Sequence, residues 1–65
     1  MLLDKIRFIR VYKGYSQEYM AYKLGISQRA YSKIERGETK MTVFRLNQIC
    51  KLLEIDINEM MHDVA

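Results

Sequence analysis

No proline interrupts this chain, and its three glycines stand at positions 14, 25 and 37. Proline would break a helix, and glycine commonly ends one in a left-handed turn. Each glycine falls where a helix-period apolar pattern stops. No stretch alternates with period two for long enough to form a strand. The spacing therefore predicts an all-α chain folded as a single domain over residues 1–65.

The apolar positions divide that domain into five helices. Helix one is expected from about Leu2 to Lys13, with Ile6 and Ile9 about 60° apart on the wheel and Leu2 and Leu3 beside them. Ser16 is an N-cap, and Glu18 suits the positive end of helix two. Met20 and Leu24 stack at i, i+4 in that helix, and Ala21 lets a neighbouring helix come close. Gly25 ends helix two, with Ile26 filling the turn, and Ser27 caps helix three, which runs to about Arg36. Thr42 caps helix four, whose buried stripe is Leu46, Ile49 and Leu53. Asp56 and Glu59 form an Asp-x-x-Glu variant of the capping box, opening a short last helix with Ile57, Met60 and Met61.

A domain of 65 residues has a small core, and its single cysteine rules out an internal disulfide. Packing must stabilise it, and one unpaired thiol suits a reducing setting. The sequence lacks an apolar run of about 20 residues and the pattern of a signal peptide. The expectation is a soluble, cytoplasmic protein with no membrane association. Its net charge of +3 permits a nucleic-acid partner without requiring one.

Helix three carries the main functional signal. Ala30, Tyr31 and Ile34 cluster on one side at 100° per residue, with Glu35 at the boundary. Gln28, Arg29, Ser32, Lys33 and Arg36 fan over the opposite side without a carboxylate. Two readings stand on this helix alone. It is a solvated face that lacks acids, or a surface shaped to meet acceptors. DNA offers such acceptors: arginine grips guanine O6 and N7, and glutamine grips adenine N6 and N7. Lysine and arginine nearby can hold phosphates.

The spacing of the whole chain bears on that choice. From Ile6 to Met61 it resembles the phage repressor and Cro-like helix-turn-helix family, also called the XRE family. The matching segments are "IRFIRVYKGYSQEYMAYKLGISQRAYSKIERGE" and "MTVFRLNQICKLLEIDINEMM". The most specific parts are "KGYSQ", "MAYKLGIS" and "SKIERGE". The resemblance implies a five-helix, lambda-repressor-like DNA-binding domain, with the helix-turn-helix at about 16–36 and helix 27–36 in the major groove.

The family's roles carry over residue by residue. Gln28, Arg29, Ser32 and Lys33 match base-contacting positions, with Lys33 reaching a base or a phosphate. Gln17 matches a position that binds phosphate and braces Gln28. Ser27 and Thr39 match phosphate contacts, and Arg36, Lys40 and Arg45 are additional candidates. Arg10 and Glu35 match a structural ion pair. The chain also departs from the family pattern, with Glu54 where glycine is common, Leu52 where small residues are common and Phe44 where a polar residue is common. Phe44 and Leu52 fall off the stripe of helix four, while Phe8, Val11, Tyr19 and Tyr22 face away from the core. Scattered exposed apolar residues are ordinary. The functional reading is a homodimer interface along helices four and five, including Phe44, Leu52 and Met61.

Other residues invite weaker readings. His62 is the only histidine, and beyond Asp63 no ligands accompany it, so no metal site is expected. Cys50 lies on the rim of the helix-four stripe with no histidine to activate it. No acid pair, phosphate loop or triad points to an enzyme, and no cofactor is implied. The expected function is a sequence-specific DNA-binding transcriptional regulator, acting as a homodimeric repressor on a palindromic operator. Contact with RNA polymerase is a variant of this reading, because the "SQE" and "IERG" segments resemble those of restriction–modification controller proteins. The rivals are an antitoxin-type regulator with a toxin partner, and a protein-interaction module of the same fold that does not bind DNA.

Overall fold

A computed structural model describes residues 2–61. Among them every regular element is a helix: α1 (Leu2–Tyr12), α2 (Gln17–Leu24), α3 (Gln28–Glu35), α4 (Val43–Leu53) and α5 (Ile57–Met61). The fold is all-α, as the punctuation of the sequence predicts. His62 and Asp63 lie outside the described residues.

Three helices begin on the hydroxyl caps read from the sequence. Ser16, Ser27 and Thr42 have extended backbones, and their side-chain oxygens accept from the N–H groups of Tyr19, Ala30 and Arg45 at 2.9–3.0 Å. Each such cap stabilises its helix by about 0.5–2 kcal/mol over alanine. Asp56 Oδ1 accepts from the Asn58 N–H at 2.7 Å and opens α5.

The helix ends are equally local. Gly25 closes α2 with φ +73°, and the Ile26 N–H bonds back to the Ala21 carbonyl at 3.0 Å. The same left-handed turn closes α4, but there the residue is Glu54, with φ +57°. A side chain in that conformation costs about 1–2 kcal/mol. This is the position at which the family pattern favours glycine.

All five helices contribute to the core. Ile6, Met20, Ala21, Tyr31, Ile34, Leu46, Ile49, Cys50, Leu53 and Met60 are buried. The stripe of α4 is the one expected, but Cys50 belongs inside it rather than on its rim. Burial, and then the charge of Asp56, push its thiol pKa up and disfavour the thiolate. Leu24 is only half-buried, and so is Ala30, which the wheel had grouped with Tyr31 and Ile34. Ala21 is small enough for α2 and α3 to pack closely. Lys5 Nζ donates to the Glu59 carbonyl at 2.9 Å and ties α1 to α5. Among the described residues, no helix is long and apolar enough to cross a membrane, and no cluster of three acidic, histidine or cysteine residues could hold a metal.

Candidate nucleic-acid interface

The close α2–turn–α3 packing sets the angle at which α3 leaves the body. Tyr31, Ile34 and Glu35 form its inner side. Glu35 is 2% exposed, so it is a core residue and not a boundary one. A carboxylate can enter the core only if its oxygens are satisfied. Arg10 Nε and the Tyr31 hydroxyl each donate to Oε2 at 2.6 Å, while Arg10 Nη2 and Gln17 Nε2 donate to Oε1 at 3.3 and 3.2 Å. Arg10 also donates to the Tyr15 carbonyl at 2.8 Å. Arg10 and Glu35 are thus an ion pair that joins α1 to the end of α3.

The electrostatics follow from this geometry. Burial works to raise the Glu35 pKa, but the hydrogen bonds from Arg10, Tyr31 and Gln17 outweigh it and hold the carboxyl below its ordinary value. Burial, and then Glu35, push the Tyr31 hydroxyl far up, so it stays protonated and donating. Gln17 is engaged with Glu35 here rather than with Gln28. Its amide therefore couples the first turn of α2 to the last turn of α3.

The outer side of α3 is different. The side chains of Gln28 and Arg29 are exposed and make no hydrogen bond or ion pair among the described residues. Two depressions flank them. One, of about 430 Å³, lies between α3 and the start of α4 and includes Ser27, Arg29, Lys33, Thr39, Lys40 and Arg45. The other, of about 380 Å³, is formed by Gln17, Gln28, Arg29, Ser32 and Arg36. Arg29 borders both. Every residue anticipated as a base or phosphate contact lines one of the two, and among the described residues neither is lined by a carboxylate.

Some of these side chains are already engaged. Arg36 donates to both oxygens of Glu38 at 2.8 and 3.3 Å and to Ser32 Oγ at 2.6 Å. Arg45 donates to Gln48 at 2.9 Å. The carboxylate of Glu38 follows the helix by only a few residues, but a wheel of α3 omits it. Ser27 Oγ accepts from the Ala30 N–H and keeps its own proton to donate. Thr42, expected from the sequence only as a cap, also lines the larger of the two depressions while capping α4.

The anticipated subunit-interface residues are only partly brought together. Phe44, 71% exposed, lines a shallow depression with Leu52, Leu24, Gln48, Lys23 and Lys51. Leu52 is half-buried and packs on the core. Met61, on α5, is exposed and does not line that depression. Phe8 and Tyr12 are exposed and stack on each other along α1, with ring centres 6.4 Å apart.

Capped helices around a glycine turn, with an outer helix face bordered by cations, define the helix-turn-helix class. The helix-turn-helix family model matches residues 6–60. The chain belongs to this family, of the XRE type, whose domains bind DNA in transcription regulation. It is 39% identical over 56 residues to the HTH-type transcriptional regulator SlrR of Bacillus subtilis, a match covering 85% of this chain and 37% of that protein. It is 53% identical over 36 residues to PTO0557 of Picrophilus torridus, a candidate HTH-type transcriptional regulatory protein, covering 55% of this chain and 12% of that one. The chain thus spans well under half the length of either relative. No solved structure matches it at the same stringency.

Proposed function

We propose that this chain is a sequence-specific DNA-binding transcriptional regulator, a homodimeric repressor acting on a palindromic operator. α3 enters the major groove, where Gln28, Arg29, Ser32 and Lys33 contact base edges. Gln17, Ser27, Arg36, Thr39, Lys40 and Arg45 hold the flanking phosphates. The observation that carries this reading is the outer side of α3. Among the described residues its donors at Gln28 and Arg29 have no hydrogen-bond or ion-pair partner, and it lies between two depressions lined by cations and, among the same residues, by no acid. A buried arginine–glutamate pair fixes the same helix from inside, so the donors are presented on a rigid support.

Two such domains related by a two-fold axis place their reading helices in successive major grooves about 34 Å apart. Phe44 and Leu52, which share a depression, and Met61 on α5 supply the apolar contact between the subunits. The protein acts in the cytoplasm, requires no cofactor and represses by occupying a promoter. Selection of bound duplexes from a random DNA library at physiological salt tests this proposal. A palindromic consensus is the expected outcome, with half-site centres one helical turn apart. Absence of enrichment contradicts it.

A further inference from the structure

We infer that Arg7 of α1 is a further DNA contact, which together with Gln17 holds a phosphodiester beside the reading helix. The inference rests on the DNA-binding function proposed above. It starts from the saturation of Glu35. A carboxylate offers about four lone-pair positions. The hydrogen bonds from Arg10, Tyr31 and Gln17 fill them. Arg7 Nε forms a long ion pair with Glu35 Oε1 at 3.8 Å, beyond hydrogen-bond reach. Among the described residues Arg7 donates no hydrogen bond.

The two arginines on this side of α1 therefore have different roles. The Arg10 side chain is 11% exposed and is matched in charge by Glu35. The Arg7 side chain is 51% exposed and shares the single negative charge of Glu35 with Arg10, so one positive charge of the three groups stays uncompensated at the solvent side. A scaffold needs only one of them. Arg7 and Gln17 stand over the same carboxylate oxygen, so they are neighbours. Gln17 in turn lines the depression shared with Gln28, Arg29, Ser32 and Arg36. Arg7 thus stands at the edge of the DNA-facing surface with its guanidinium donors available. A planar fork of donors suits a phosphate with two acceptor oxygens. Glu18, the acid in the first turn of α2, does not line that depression.

The test uses the library-selected duplex and a fluorescence-anisotropy titration at several salt concentrations. Wild type, Arg7→Gln and Arg7→Lys are compared, together with their thermal midpoints. Arg7→Gln is expected to bind more weakly to cognate and unrelated duplexes alike. It should lower the slope of log Kobs against log salt by about 0.9, the share of one phosphate contact. Arg7→Lys keeps the charge and should keep the slope. An Arg7→Gln slope equal to that of wild type overturns the inference, whether or not affinity or the midpoint falls, because the residue would then act only through the fold. If wild type binds DNA and Arg7→Gln matches it, the Arg7 contact fails and the DNA reading stands. If wild type binds no duplex, both fail.

Discussion

Two arginine–glutamate forks flank the end of α3. Arg10 and Glu35 meet at 2.6 Å with side chains 11% and 1% exposed, and Arg36 and Glu38 meet at 2.8 Å with side chains 50% and 53% exposed. The contact chemistry is nearly the same, but the consequences differ because water reaches only one of them. The inner pair cannot separate without leaving a charge in the core. The outer pair is screened and can exchange one partner for another at little cost. The inner fork therefore fixes the helix, and the outer fork holds a cation that a phosphate can take over.

Glu35→Gln should break this comparison most severely. It leaves Arg10 buried without a counter-charge, for a loss of about 3–5 kcal/mol, enough to unfold much of a domain this small. Chemical denaturation followed by circular dichroism measures it. The pH dependence has a defined sign. Glu35 is held below its ordinary value of 4.5, so its stabilisation is complete above that pH and is lost as pH falls through the folded-state value. Acid unfolding of wild type should carry this loss, and Glu35→Gln should lack it.

Tyr31→Phe removes one donor to the buried carboxylate but keeps the ring in the core. A loss of about 1.5–3 kcal/mol is expected in the same denaturation experiment, as for a hydrogen bond to a charged group. The smallest effect on folding belongs to Glu38→Gln. Its thermal midpoint should stay close to that of wild type, because the outer pair is solvated. Its affinity for DNA should rise, since Arg36 is released and a negative charge leaves the surface. An unchanged affinity with a lowered midpoint would show that the outer fork is a scaffold like the inner one.

How much of this was legible in the sequence depended on range. The caps at Ser16, Ser27 and Thr42 and the turn at Gly25 act within a few residues, so the local pattern is sufficient to find them. The helical wheel left Glu35 at the boundary because the wheel sees only α3. Arg10, the residue that admits Glu35 to the core, lies 25 positions earlier. Only the resemblance to the repressor family linked the two. Glu38 was missed for the opposite reason. It is close in sequence but follows the last helical turn, where the wheel stops. The two cation-lined depressions depend on how α3 packs against α2 and α4, and periodicity carries no information on that. Nor does it indicate that Phe44 and Leu52 share one surface while Met61 stands apart.

The most direct measurement is the affinity of Arg29→Ala for the selected duplex and for duplexes altered one base pair at a time, with the thermal midpoint recorded alongside. Arg29 borders both depressions and makes no hydrogen bond or ion pair among the described residues that the substitution would remove. The predicted result is a loss of about 1–3 kcal/mol on the selected site, with relaxed preference at one base pair and an unchanged midpoint. Unchanged affinity and unchanged base preference would contradict the claim that the outer side of α3 reads DNA.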